Sequence, residues 1–575
     1  MSVIPLHEPS LAVGGEFAVT ASLPRLDDVI AFMEGTAAFE YGYYRYVSHP
    51  YLRKTEEGLK ALFGCRHCRL AGSREIALLE ILLCLHAPGT RTGIAVIPCE
   101  GTAMPFRDTG FFPACDAAEF ELLPRGRPPG REDVLLLCVR TGEPIAPARI
   151  EEVRRAGEDG ATVVVMLSDA PARKPEVPGA RFWITPLPGD GHGAAVLGAA
   201  DRVMDRLAQR MRRRGLWLTP REVAPRPPFR VDGEDPRGAC GRVASSLCRL
   251  EGGAFAFLYP TGMSAITRAL ELVRRPLRSQ VIAVGHLFND TYETLRLAPR
   301  RAGEEPNVFL GVDELDRLSE VMTDQTAAIL TETITNPLND VPDLEVLGRA
   351  AAARRIPLIV DNTIATPLLC RPLALGADIV VHSTTKFLNG RNDHGGGALV
   401  VKSAELARGL QDLEAKWNDS MSPREAAALE RGLATLPRRV DLFNANAGRV
   451  AGCLSGHRAV GRLYFNGHPT HRSYSTARRL LAGPSSVISF TLARDGRDAL
   501  REFYDSPMPA VIKAPSLGSD RTLMCPYTML THYHDTDEVL ASIGLPRHLV
   551  RLAVGCETDI EPVLADLGRA LDRVG

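Results

Sequence analysis

An α/β architecture, a mostly parallel sheet with helices on both faces, is predicted for this chain by two observations. Between Ala254 and Val401 short apolar runs alternate with longer helical patterns, which is the signature of βαβ units and a covered parallel sheet. The part before Pro225 repeats this order faintly. The same unit is therefore expected twice, followed by a small α+β domain.

In chain order, residues 1–39 read as an N-terminal arm and 40–228 as the faint copy. The full copy spans 229–439 and the small C-terminal domain 440–575. In the full copy "QVIAVG", "TAAILTE", "IPLIVDN" and "ADIVVHS" are strand-like, while "MSAITRALELV" and "LEVLGRAAAARR" are helix-like. In the faint copy "LAGSREIALLEILLCL" from Leu70 matches "YPTGMSAITRALELV" from Tyr259, with Gly72 opposite Gly262. "DVLLLCVRTGEPIAP" matches "AAILTETITNPLND", "GDGHGAAVLG" matches "NDHGGGALVV", and "LTPREV" matches "MSPREA". Four matches in one order, roughly 190 to 203 residues apart, argue for an internal repeat. "REVAPRPPFRVDGEDP" from Arg221 is rich in proline and charge and reads as the linker. In the C-terminal domain "VISFTL" and "LVRLAVG" are the strands.

Composition excludes several function classes. The 575 residues are 45% hydrophobic and 24% charged with a formal net charge of −1. Nothing electrostatic points to a nucleic-acid partner or an anionic membrane. No long apolar run or signal-peptide pattern occurs, so no membrane partner and a cytoplasmic location are expected. Twelve cysteines are scattered. The close pair Cys65 and Cys68 has no second pair at zinc spacing, and no metal is expected.

Chemistry concentrates at predicted strand ends, where open α/β sheets bind ligands. "DIVVHSTTKFLNG" ends an apolar strand on Ser383, Thr384 and Thr385 and then places Lys386. Desolvation beside such a strand favours a neutral amine, a candidate for Schiff-base chemistry. "LIVDNT" ends another strand on Asp361, a carboxylate that burial makes costly unless it meets a cation. In "YPTGMSAI", Gly262 at a strand-to-helix turn, with Met263 and Ser264 opening the helix, makes an anion site for a phosphate. Ser383 and Thr385 stand ready to donate to the same group. A phosphate cradle, a pyridinium partner and an imine-forming lysine together describe pyridoxal 5′-phosphate (PLP).

From about Cys248 onward the chain resembles the cystathionine γ-synthase/γ-lyase family of Cys/Met metabolism, PLP-dependent enzymes of fold type I. The resemblance rests on "CRLEGGAFAFLYPTGMSAI", "ETITNPLNDVPDL", "VDNTIATPLLCRPLALGADIVVHSTTKFLNG" and "LVRLAVGCETDIEPVLADLGRAL". It implies that Lys386 is the Schiff-base lysine and Asp361 the pyridinium partner. Gly262, Met263, Thr363, Ser383 and Thr385 would lie around the cofactor and its phosphate, and Asn336 would face its O3′. Arg551 and Ser516 would hold the α-carboxylate of an amino-acid substrate. A homo-oligomer is implied as well.

Two departures stand out. Phe288 in "LFNDTY" replaces the family's ring-stacking tyrosine, so a proton-carrying phenol is missing and Asp290 or another tyrosine has to compensate. The family's Tyr-x-Arg phosphate clamp, which enters from a neighbouring subunit, is absent before the full copy but present before the faint one, as Tyr43 and Arg45 in "YYRYVSHP". The faint copy lacks the amine opposite Lys386, which falls near Ile184. It also lacks the acid opposite Asp361, which falls within "VVVMLS". These losses are complementary. The chain is expected to be a fused pseudo-dimer, dimerising further, with Tyr43 and Arg45 lent to the PLP of the full copy. The expected reaction is γ-elimination or γ-replacement on a homoserine ester, a cystathionine-like substrate, or a γ-halogenated or unsaturated amino acid. The alternatives are a β-lyase of the cystathionine type and a non-catalytic pseudoenzyme.

Overall fold

The computed structural model of the chain describes residues 25–34, 50–214 with interruptions, and 238–575 apart from 297, 299–302 and 418. The segment read as the linker, from Arg221 to Pro236, lies outside the described residues.

Helix α1 (Leu26–Met33) is the described part of the N-terminal arm. It docks on the C-terminal domain, where Leu26 and Val29 join that domain's apolar core. The backbone N–H of Leu26 donates to Asp505 Oδ1 at 2.8 Å and Arg501 pairs with Asp27 at 2.6 Å.

The first sheet contains β1 (His67–Ala71), β2 (Thr92–Ile97), β3 (Phe120–Leu122) and β4 (Val134–Val139). It is completed by β5 (Thr162–Leu167), β6 (Ala180–Pro186) and β7 (Ala194–Gly198), in the order β1-β7-β6-β5-β4-β2-β3. Strand β4, "VLLLCV", is buried throughout, as expected of a run covered on both faces. The covering helices include α2 (Arg74–Leu85) and α3 (Asp201–Arg214), which pack against each other. Cys68 lies in β1, where burial holds its thiol well above the usual range. Among the described residues no three metal-ligating side chains cluster.

Helix α4 (Ala239–Glu251) leads into the second sheet. Its strands are β8 (Phe255–Tyr259), β9 (Gln280–Val284), β10 (Val308–Leu310) and β11 (Thr326–Glu332), then β12 (Leu358–Asp361), β13 (Ile379–Ser383) and β14 (Gly397–Val401). They run in the order β10-β9-β11-β12-β13-β14-β8. Helices α5 (Gly262–Val273), α6 (Asn289–Arg296) and α7 (Ala404–Trp417) cover one face, and α5 packs on α7. Read from β8 inward, each strand of this sheet has a counterpart at the same place in the first, with the same sense. The pairings β8–β14 and β14–β13 are antiparallel and the remaining four are parallel. The first sheet follows suit.

Strand register corrects one sequence reading. Ile184 lies opposite Val196 within β6, at the place Val381 takes opposite Leu399 in β13. The strand-end residue that takes the place of Ser383 is therefore Pro186, beyond Ile184. No lysine occurs in 187–193. Met166 takes the place of Asp361, since Met166 pairs with Ile184 as Asp361 pairs with Val381.

The third sheet contains β15 (Val460–Tyr464), β16 (Val487–Leu492), β17 (Ile512–Lys513), β18 (Leu523–Pro526) and β19 (Val550–Ala553), ordered β15-β16-β19-β18-β17. The domain line read at 439/440 falls inside helix α8 (Pro423–Ser455). One continuous helix changes the face it buries. Leu429, Leu436 and Phe443 pack into the core of the second sheet, and Ala447, Val450 and Leu454 into that of the third. The chain passes from one domain to the other without a loop.

Candidate active site

Strand β13 is buried until its last residue, Ser383, and Lys386 sits in the turn that follows. Two features hold that turn. Arg439, on α8, donates to the carbonyls of Phe387 at 2.6 Å and Leu388 at 2.9 Å, directly after the lysine. Below it, Glu425 Oε2 lies 2.8 Å from His394 Nδ1, and His394 Nε2 lies 2.8 Å from Thr384 Oγ1. All three are buried. With the carboxylate accepting at Nδ1, a neutral imidazole accepts the threonine hydroxyl at Nε2.

The amine of Lys386 donates to Ser516 Oγ at 2.8 Å. Ser516 belongs to a loop that crosses over the lysine. Gly518, at φ +72°, lies so close that a Cβ there would stand 2.5 Å from Phe387 N and 2.7 Å from the carbonyl carbon of Lys386. Only glycine combines that dihedral with that approach.

Helix α5 starts at Gly262 because Thr261 caps it, accepting from Ser264 N at 3.0 Å. The amides of Gly262 and Met263 fall in the first turn, where no intrahelical carbonyl reaches them. A Cβ on Gly262 would meet Ser383 Cβ at 2.7 Å, so the helix end can abut β13 only as glycine. Ser383 N donates to Thr363 Oγ1 at 2.8 Å. The Thr385 hydroxyl accepts from Gly396 N at 3.0 Å.

Two carboxyls face each other at the ends of β11 and β12, where Glu332 lies opposite Asp361 in register. Burial raises the Asp361 pKa, opposed in part by its hydrogen bonds with Thr363; the Thr363 N–H donates to Asp361 Oδ1 at 2.9 Å. Glu332 is 6% exposed. Burial, then the neighbouring Asp361 charge, lift its pKa well above the usual range, although it accepts from the N–H of Phe288.

Arg551 projects from β19 and is 3% exposed. Its Nη1 donates to Asn336 Oδ1 at 3.1 Å, its Nη2 to the Ser516 carbonyl at 3.0 Å, and its guanidinium lies 5.1 Å from the Tyr527 ring centre. Its Nε is buried without a hydrogen-bond partner among the described residues.

The fold thus gathers Gly262, Met263, Phe288, Asn336, Asp361, Thr363, Ser383, Thr385, Lys386, Ser516 and Arg551 at one end of the second sheet. Tyr43 and Arg45 lie outside the described residues. The gathered groups fit PLP. A helix start free of side chain suits a phosphate, an acid raised by burial suits a ring cation, and an amine stands beside them. Sequence reasoning missed Glu332, Tyr527, Arg439 and the Thr384–His394–Glu425 series. Glu332 carried the same signal as Asp361, an acid closing an apolar run. The others announce themselves only through contacts distant in sequence.

The part of the chain that carries these residues is similar to known proteins. The family model described as Cys/Met metabolism PLP-dependent enzyme matches residues 241–572. A cystathionine gamma-lyase of Bacillus subtilis (strain 168) is 32% identical over 329 residues, covering 57% of this chain and 85% of the relative. A cystathionine beta-lyase of Lactococcus lactis subsp. cremoris (strain MG1363) is 31% identical over 327 residues, covering 57% and 84%. The structure of cystathionine gamma synthase from Xanthomonas oryzae pv. oryzae in complex with cystathionine superposes with a TM-score of 0.55 at 32% identity, covering 60% of this chain and 91% of that one.

Proposed function

Because this chain belongs to the Cys/Met metabolism PLP-dependent enzyme family, we propose that it carries out γ-elimination or γ-replacement on an amino acid with a leaving group at Cγ. Its class is a PLP-dependent lyase or transferase of the cystathionine γ-lyase, γ-synthase or β-lyase type. The proposed substrates are homoserine esters, cystathionine-like thioethers, and γ-halogenated or unsaturated amino acids.

The observation that carries the reading is convergence on Ser516. Lys386 donates to its hydroxyl and Arg551 to its carbonyl. A substrate whose α-carboxylate meets Arg551 is thereby brought to the amine that must move the proton of Cα. PLP, when bound, supplies an aldehyde that joins an amine and a ring that withdraws electron density from Cα. Asp361 would keep the ring nitrogen protonated, and that cation answers its own raised pKa. Gly262, Met263, Ser383 and Thr385 would hold the phosphate, Thr363 ties the end of β12 to β13, and Asn336 would face O3′. Phe288 offers the ring a flat apolar face but no proton. Lys386 must then carry protons at both Cα and Cβ, helped by Asp290 or a tyrosine such as Tyr43. Arg45 would add a charged contact to the phosphate.

The γ preference draws support from the gamma-lyase and gamma-synthase relatives, and the beta-lyase relative favours the second reading. Steady-state assays with O-acylhomoserine, cystathionine and γ-chloro amino acids decide between them. Turnover of γ-substituted substrates is expected, and turnover of β-substituted ones alone would replace the proposal with the β-lyase reading.

A further inference from the structure

We infer that residues 67–214 are a second copy of the cofactor-binding unit, emptied of its chemistry, which stands within one chain where a symmetric dimer would place a partner copy.

Three observations carry this. The first sheet has the strand order of the second, with every neighbouring pair in the same sense. Seven strands can be ordered in very many ways, and a mixed sheet with its two antiparallel pairings at the same end is a demanding coincidence. Register then pairs Met166 with Asp361 and Pro186 with Ser383. Where the second unit has an acid and a hydroxyl, the first has a thioether and a ring without a backbone donor.

The third observation is how the units meet. The pair α2 and α3 in the first unit matches α5 and α7 in the second, since each pair combines the helix after the first strand with the helix after the last. Across the contact α3 packs against α5 and α6. Leu413 and the buried Trp417, at the end of α7, join the apolar cluster formed by Ala77, Ile81, Leu207 and Met211 of α2 and α3. The pair α2 and α3 of the first unit thus meets the matching pair α5 and α7 of the second, with α6 added on the second unit's side. The exchange of α3 with α5 and of α7 with α2 is the pattern of a two-fold, isologous interface, here closed inside one polypeptide.

The arrangement has a consequence for the site. Helix α5 begins at the Gly262 cradle and α6 follows Phe288, so the vacant unit packs on the two helices that frame the cofactor. Trp417 holds the C-terminal half of the same helix α5. Its Nε1 donates to Glu271 Oε1 at 3.1 Å, and the buried Arg268 of α5 lies 4.7 Å from its ring centre. The vacant unit is a positioning element for the cradle. That last step rests on the PLP reading, whereas the pseudo-dimer itself does not.

The test uses the full-length holoenzyme. After borohydride reduction and peptide mass spectrometry, one pyridoxyl group per chain is expected, on Lys386, with none in residues 67–214. A labelled lysine in 67–214 overturns the vacancy. Hydrogen exchange is then followed across a wide dilution series. Protection of α3 and of residues 413–417 that does not change with concentration supports an intrachain contact, and protection lost in step with chain dissociation overturns it. In Trp417→Ala and, separately, Met211→Ala, the first turn of α5 is expected to exchange roughly tenfold faster. Unchanged exchange in both makes the first unit an independent appendage and overturns the positioning role. If no lysine is labelled anywhere, the PLP reading has failed while the exchange data still decide the pseudo-dimer.

Discussion

Ser516 accepts a hydrogen bond from the amine of Lys386 at 2.8 Å, although the two residues stand 130 positions apart. The hydroxyl serves the lysine and the carbonyl of the same residue serves Arg551. The two functions can therefore be separated. In Ser516→Ala the carbonyl remains, so KM is expected to stay within about twofold while kcat falls about tenfold, the equivalent of ~1.4 kcal/mol. A rise in KM with unchanged kcat would mean that the hydroxyl contacts substrate instead.

Gly518 keeps that loop seated over the lysine. Gly518→Ala meets both an unfavourable φ of +72° and the backbone of Phe387 at 2.5 Å. A loss of about 2–4 kcal/mol in unfolding free energy is expected, together with reduced turnover. Gly544, at φ +67° with open space around its Cβ position, supplies the control. Gly544→Ala should cost about 1 kcal/mol, and the difference in denaturant melts reads the loop contact alone.

Arg551 is 3% exposed and its guanidinium is held by Asn336 and the Ser516 carbonyl, which fixes the plane a substrate carboxylate would meet. Arg551→Lys keeps the charge but loses the fork. KM for an amino-acid substrate is expected to rise about 10- to 100-fold with a smaller change in kcat. A KM that does not move would remove Arg551 from substrate binding.

Glu332 and Asp361 give the cofactor-free protein a pH dependence of definite sign. Both have folded pKa values raised above the ordinary carboxylate range, so the native state binds more protons than the unfolded chain. Their contribution is then intact at low pH and is lost as pH rises through the folded values. Calorimetry of the cofactor-free protein between about pH 5 and about pH 8 should show this decline, and Glu332→Gln should flatten it by on the order of 1 kcal/mol. A steeper decline in the variant would contradict the assignment.

Mixing separately made Lys386→Ala and Arg45→Ala chains tests whether Arg45 acts on its own chain's site. No recovery of activity is expected. Recovery would mean that Arg45 reaches across chains.

Local patterns in the sequence carried much of the second unit. "TAAILTE" became β11, "MSAITRALELV" the body of α5, and the acid and lysine at strand ends fell where an open sheet binds ligands. These features depend on apolar periodicity and on strand termini, which are properties of neighbouring residues. The strands of the first sheet, proposed as a faint first copy, were legible for the same reason, but only to the precision of their loops. The lysine position was misplaced at Ile184 because a shortened connection carries no hydrophobic pattern.

Only the tertiary structure decided what depends on residues far apart. The domain line dissolved into α8, since one helix presents apolar residues continuously and merely changes the core that receives them. The described part of the N-terminal arm went to the C-terminal domain through Leu26 and Asp505. Glu332 acquired its meaning from Asp361 on the next strand, and Lys386 from a loop that arrives after the third sheet has begun. Sequence alone determined which segments become strands and helices and which residue types close them. Packing decided which of those ends meet, because burial and charge act through space and not along the chain.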